Sequence, residues 1–209
     1  MSSHALASSL LPVLGILDYV GIGVFAASGA LLAAEKRQTF VTFIFLAVAT
    51  GVGGGTARDL LIGAPVFWTD ENWALLICFG AALGVWLTPR RIWGGNALLW
   101  FDAVGLAAYA TYGAAKALGH GVAPVPAFVA GVLTACLGGI IRDLLANEPS
   151  ILLRPELYVT AAAVSAGLMV ALAAAGVPLQ LAATIAVLAG FALRGSAIIT
   201  GWSLPAYRR

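Results

Sequence analysis

Gly54-Gly55-Thr56-Ala57-Arg58-Asp59-Leu60-Leu61 and Gly138-Gly139-Ile140-Ile141-Arg142-Asp143-Leu144-Leu145 are two versions of one eight-residue pattern, set 84 positions apart. The same offset lays Asp18 on Asp102, Val20 on Val104, Gly21 on Gly105, Gly29 on Gly113 and Pro65 on Pro149. A register kept from Asp18 to Pro149 marks an internal duplication, with paired charges standing beside glycine-rich backbone. Around these residues the chain is almost wholly apolar. Charges that persist in such surroundings point to a path through a membrane.

Composition supports that setting. Of 209 residues 61% are hydrophobic and only 10% charged, with a mean hydropathy of +0.99, whereas a soluble domain carries about a quarter charged residues. The net charge of +2 and the lack of basic runs interleaved with aromatics exclude a nucleic-acid partner. Cys78 and Cys136 lie inside apolar stretches and read as small packing residues, not as half-disulfides or metal ligands. The opening Met1-Ser2-Ser3-His4 lacks the basic region of a cleavable signal, so Val13 onward reads as a retained span. The closing Trp202 to Arg209 reads as a short interfacial tail.

A crossing helix needs about 20 mainly apolar residues, and seven stretches qualify: Val13 to Ala34, Thr39 to Ile62, Trp73 to Thr88, Asn96 to Leu118, Val125 to Ala146, Leu157 to Gly176 and Leu179 to Ile199. Alternation over about ten residues, which would signal barrel strands, is missing. The expected fold is therefore an all-α integral membrane domain spanning the whole chain. It has one three-helix repeat at about 13–88, a second at about 96–176 and a seventh helix at about 179–199. Three spans per copy is an odd number, so the second copy must insert upside down. Inverted repeats of this kind are frequent in transport proteins, with the permeant site near the membrane midplane at the repeat interface.

Basic residues set the direction, because cytoplasmic loops are enriched in Lys and Arg. Lys36, Arg37, Arg90, Arg91, Arg154, Arg208 and Arg209 fall on one face, which predicts an outside amino terminus and a cytoplasmic carboxyl terminus. The loop Asp70-Glu71-Asn72 is then external.

Four of the five residues in Gly51-Val52-Gly53-Gly54-Gly55 are glycine, each weakening a helix by about 1 kcal/mol relative to alanine. The second span is expected to bend or unwind there, and the fifth to do so more mildly at Gly138-Gly139. Carbonyls freed in this way could replace part of a cation's hydration shell. Glycines that only let helices pack closely are the alternative. Arg58-Asp59 and Arg142-Asp143 cost most to bury, since a charge at mid-bilayer costs about 2.5–3.5 kcal/mol or more. At about 1.5 Å per residue, Arg58 and Asp18 share the outer depth, and Asp102 and Arg142 the inner. Two clusters, Asp18 with Arg58 and Asp102 with Arg142, are thus expected at opposite ends of one conduit. The competing reading has the arginines reach the interface on their long stems.

The hydroxyls of Ser28, Thr50, Thr134, Ser165, Thr184 and Ser196 read as bonded to their own helices. Lys116 and Arg194 read as snorkelling, and His120 as a solvated loop residue. No His-Glu-x-x-His, Gly-x-Ser-x-Gly or Cys-x-x-Cys occurs, so no catalytic set or metal centre is expected. A phosphate-binding reading of the glycines lacks the required following Lys-Ser or Lys-Thr.

At Gly53-Gly54-Gly55-Thr56-Ala57-Arg58-Asp59 and its echo Gly138-Gly139-Ile140-Ile141-Arg142-Asp143, the chain resembles the bacterial glycine-rich branch of the trimeric intracellular cation (TRIC) channel family. The resemblance implies a homotrimer in a bacterial-type inner membrane, each protomer with its own pore for potassium, sodium and other monovalent cations. Conduction would need no cofactor, and membrane lipids would be partners beside the permeant cations. Carried onto this sequence, Gly53, Gly54, Gly55, Gly138 and Gly139 would be kink positions, with Arg58, Asp59, Arg142 and Asp143 as the polar elements beside them. Leu137 stands where the pattern has Gly53. A secondary transporter is the alternative that inverted repeats also allow.

Overall fold

Apolar runs punctuated by proline, glycine and cap residues become eight α-helices in the computed structural model, which describes residues 3–94, 96–153 and 156–205. They are α1 (Ser3–Glu35), α2 (Phe40–Leu61), α3 (Phe67–Asp70), α4 (Trp73–Leu87), α5 (Ala97–Gly119), α6 (Pro124–Leu145), α7 (Val159–Ala174) and α8 (Leu179–Thr200). Short 3-10 turns occupy Arg90–Ile92 and Ile151–Leu153. Four helical stretches are long and apolar enough to cross a membrane: Gly15–Glu35 of α1, together with α2, α6 and α8. The apolar α4 and α7 are shorter, at 15 and 16 residues, and α5 has 23 residues but carries Asp102 and Lys116. Met1, Ser2, Arg154, Pro155 and the tail residues Ala206, Tyr207, Arg208 and Arg209, on which parts of the sequence reading rest, lie outside the described residues.

The duplication extends to the backbone. The bounds of α2 and α6 are themselves 84 residues apart. Each helix ends on a left-handed residue, Gly63 (φ 68°) after α2 and Asn147 (φ 53°) after α6, where glycine and asparagine carry little steric penalty. The same terminal bond closes both helices: Ala64 N donates to Asp59 O and Glu148 N to Asp143 O, each at 2.9 Å. At the preceding loops Arg37 (φ 52°) matches Gly121 (φ 78°). There Gln38 N donates to Ala33 O and Val122 N to Ala117 O, the helix-end pattern that satisfies otherwise orphaned carbonyls.

Packing joins the halves through α1 against α5 and α2 against α6, while α7 and α8 close over α5. The core uses small residues, among them Ala26, Ala30, Ala47, Ala110, Ala114 and Ala135. Large apolar side chains such as Phe45, Leu60, Leu61, Trp86, Leu144 and Ile199 point outward. An exterior of that kind is costly in water and natural in lipid.

The glycine clusters are not unwound. Both α2 and α6 run as unbroken helices through them, which corrects the expectation of freed carbonyls. Their role is close approach. A Cβ on Gly54 would land on the Thr134 carbonyl oxygen, and one on Gly138 would stand 2.6 Å from that of Thr50. Gly54 pairs with Gly138, and Thr50 with Thr134, under the offset, so the two contacts are reciprocal. Such exchange is what a two-fold relation between the halves produces.

Candidate functional site

The last turns of α2 and α6 carry the charges, where a cation also meets the favourable end of the helix dipole. In each half the arginine folds onto the next residue: Arg58 Nε donates to Asp59 Oδ1 and Arg142 Nε to Asp143 Oδ1, both at 2.9 Å. The second carboxylate oxygen then anchors the following loop. Asp59 Oδ2 accepts from Phe67 N at 3.0 Å and Asp143 Oδ2 from Ile151 N at 2.9 Å. Positions 67 and 151 again differ by the repeat offset. An Arg-Asp dipeptide at a helix end therefore neutralises itself and ties down the next turn in one arrangement.

Beyond this shared frame the halves diverge. In the second, Arg142 Nη1 donates to Asp102 Oδ1 at 2.8 Å and to Ser28 Oγ at 3.1 Å, forming the ion pair expected from sequence. Both charged residues are buried, Asp102 at 0% and Arg142 at 1% exposure. In the first, the expected Asp18–Arg58 pair does not form. The position matching Ser28 is Tyr112, whose ring lies 4.9 Å from the Arg58 guanidinium carbon and whose hydroxyl reaches Asp18. Where Ser28 accepts from Arg142 beside Asp102, Tyr112 engages both Asp18 and Arg58 and the two charges form no ion pair. Asp18 Oδ1 and Arg58 Nη1 find no hydrogen-bond partner among the described residues.

Lys116 and Arg194 also depart from expectation, for neither simply snorkels. Lys116 Nζ stands 2.8 Å from Asp59 Oδ1 and over the Phe67 ring, closing the first cluster with an ammonium. Leu32, which matches Lys116 under the offset, lies at the second cluster and lines a cavity of about 250 Å³ with Glu35, Arg142, Asp143, Glu148 and Ile151. One cluster is capped by an ammonium and the other lies against a cavity of mixed charge, where Lys36 pairs with Glu148 at 2.7 Å. Arg194, 1% exposed, pairs with Glu156 Oε2 at 2.6 Å. His120 is exposed as expected. Thr50, Thr134, Thr184, Ser28 and Ser196 return their hydroxyls to their own helices, while Ser165 Oγ has no such partner.

Of the glycines, Gly53 faces Ile141, Gly55 the Phe67 ring, and Gly139 the Tyr158 hydroxyl beside Asp102 and Arg142. The crossing is further pinned by Tyr109, which donates its hydroxyl to Gly51 O at 3.0 Å. Tyr109→Phe is expected to lower stability by about 1 kcal/mol, the net worth of one buried hydrogen bond. Thermal denaturation of the purified protein in detergent measures it.

The residues that sequence reasoning did not place are Tyr112, Glu156 and Tyr158, together with the pairing of Lys116 and Arg194. A signal for two of them existed: comparing halves at the 84-residue offset exposes Tyr112 against Ser28 and Lys116 against Leu32 as unlike residues in a conserved frame.

Known proteins resemble this arrangement closely. The family model described as "Glycine transporter" matches twice, over residues 15–90 and 99–174, a spacing that restates the duplication. A UPF0126 membrane protein of Deinococcus radiodurans is 42% identical over 168 residues, 78% of each chain. The UPF0126 inner membrane protein YadS of Escherichia coli K12 is 38% identical over 199 residues, covering 91% of this chain and 94% of that one. Among solved structures, the TRIC trimeric intracellular cation channel orthologue from Rhodobacter sphaeroides superposes with a TM-score of 0.84 at 42% identity, covering 91% of this chain and 99% of its own. A second TRIC cation channel gives 0.82 at 32% identity, covering 93% and 97%.

Proposed function

Because this chain belongs to the glycine-transporter family, whose solved relatives are TRIC cation channels, we propose that it is itself a channel for monovalent cations, potassium and sodium. The observation that carries the reading is the pair of Arg-Asp clusters set in equivalent frames on either side of the α2–α6 crossing. Buried charge of both signs in one apolar bundle is costly, is offset here by pairing, and where it occurs in membranes marks ion pathways. The remainder of the proposal concerns assembly. Seven helices cross the membrane, the halves are inverted, the amino terminus faces outward, and three protomers associate, each with its own pore in a bacterial inner membrane. The glycines allow α2 and α6 to cross in backbone contact and to bend there. Asp18, Asp59, Asp102 and Asp143 supply negative potential for a cation, while Arg58 and Arg142 temper it.

Planar-bilayer recording of the purified protein tests this. Discrete current steps are expected, with reversal potentials in asymmetric KCl following the potassium gradient. A chloride-following reversal potential overturns the cation claim. The family's description favours a second reading, a carrier of a small amino acid, for which inverted repeats are equally suited. Saturable uptake of labelled glycine into proteoliposomes without current steps would establish that reading instead.

Lys116 gives a sharper check. Its ammonium occupies the Asp59 carboxylate, the place a permeant cation would take. Lys116→Met should raise potassium conductance about tenfold in dilute salt, with the gain shrinking as salt screens the site. An unchanged conductance across ionic strengths removes Asp59 from the route.

A further inference from the structure

The second charge cluster is gripped by an element that the first has no means of copying. Under the repeat offset Tyr158 falls on Ala74 and Glu156 on Asn72, and α8 lies outside the duplication altogether. Tyr158 is 1% exposed. Its hydroxyl lies 2.7 Å from where a Cβ on Gly139 would be, a point 3.4 Å from Asp102 Oδ1 and 3.8 Å from Arg142 Nη2. The missing side chain of Gly139 is thus what lets the tyrosine lean onto the ion pair.

Two links from α8 hold the segment bearing Tyr158. Arg194 Nη2 pairs with Glu156 Oε2 at 2.6 Å while its guanidinium carbon stands 5.6 Å from the Tyr158 ring centre. The chain leaving α8 turns at the left-handed Gly201 and forms an antiparallel bridge between Ser203 and Glu156. Arg194 is buried while the Glu156 side chain is 31% exposed, so the pair holds the segment in place more than it adds stability. Asp102 Oδ2 and Arg194 Nε lack hydrogen-bond partners among the described residues, and the Tyr158 hydroxyl bears on the Asp102 carboxylate. This arrangement is therefore not a saturated, rigid network but one with polar atoms free to repartner.

We infer that Arg194 is a positioning residue for the Asp102–Arg142 pair, acting through Glu156 and Tyr158, so that α8 sets how often one end of the conduit conducts. The inference rests on the cation-channel reading for its gating half only. With Tyr158 seated, Asp102 stays engaged with Arg142. When α8 releases the segment, the carboxylate is freed to face a cation, and that end opens.

The test pairs hydrogen exchange with bilayer recording on the full chain. In Arg194→Gln, amides of Ile151–Leu153 and Glu156–Tyr158 should exchange about tenfold faster, whereas those of Phe67–Asp70, at the corresponding end of the first half, keep their rate. Open probability should rise about tenfold with unit conductance and reversal potential unchanged, and Arg194→Lys should restore both readouts. Tyr158→Phe, which keeps the ring and loses only the hydroxyl, should raise open probability without loosening the segment. Unchanged exchange in Arg194→Gln overturns the positioning role whether or not the protein conducts. Faster exchange with unaltered gating, or a change in unit conductance, overturns the gating role. If the wild-type protein passes no current, the channel reading fails by itself, and exchange still decides the positioning claim.

Discussion

Arg142→Leu is expected to be the most damaging single substitution in the chain, costing about 3–5 kcal/mol and leaving little folded protein after extraction. Three acceptors lose their donor at once: Asp102, Asp143 and Ser28. Asp102 is fully buried, so its carboxylate would remain as an uncompensated charge in an apolar interior. Asp143, still tied to the Ile151 amide, would lose only part of its support. Arg58→Leu should cost less, because Lys116 remains on Asp59 and no ion pair to Asp18 exists to break. Chemical or thermal denaturation in detergent gives the ranking. Adding Asp102→Asn to Arg142→Leu should recover part of the loss, and a double-mutant cycle then isolates the pair. Equal damage from the Arg142 and Arg58 substitutions would show that the two clusters are energetically alike despite their different partners.

Gly54→Ala and Gly138→Ala should each cost about 1–3 kcal/mol or more, the range of overpacking in a dense interior. At both positions the added methyl meets a backbone carbonyl across the helix crossing, that of Thr134 or of Thr50, and backbone gives way less readily than a side-chain tip. To make room, α2 and α6 must separate along the line where the halves meet, so conduction should fall together with stability. Gly80 and Gly84 on α4 serve as controls. Neither has anything within 4 Å of a new Cβ, and alanine there should be neutral or stabilising by about 0.5–1 kcal/mol. Denaturation midpoints and bilayer currents on the same preparations check both halves of this expectation. A tolerated Gly54→Ala would mean that the crossing relaxes at little cost.

What was legible in the sequence was whatever the duplication repeats. The offset from Gly54 to Gly138 announced the frame, and helix bounds, terminal turns and Arg-Asp geometry all obey it. The Asp102–Arg142 pair could be read because charge in an apolar span seeks a partner at matched depth. The same logic fails for Asp18, because depth says nothing about Tyr112, which comes from α5 and engages Asp18 and Arg58 in place of an ion pair. Unwinding at Gly51–Gly55 was expected from intrinsic helix preference. That preference, about 1 kcal/mol per glycine, yields to packing when the missing side chains are what admit a neighbouring helix. Arg194 near a helix end reads as snorkelling, and nothing local in the sequence shows that Glu156, 38 positions away, comes to meet it.

The reciprocal crossing of Gly54 on Thr134 and Gly138 on Thr50 has a consequence for how such a chain can evolve. Two identical polypeptides meeting this way must place the same residue at both matching positions, so any substitution is felt twice. Fusion into one chain lifts that constraint. Serine at 28 and tyrosine at 112, or leucine at 32 and lysine at 116, are then free to specialise while the backbone around them stays alike. The molecule carries one backbone frame twice, furnished differently each time.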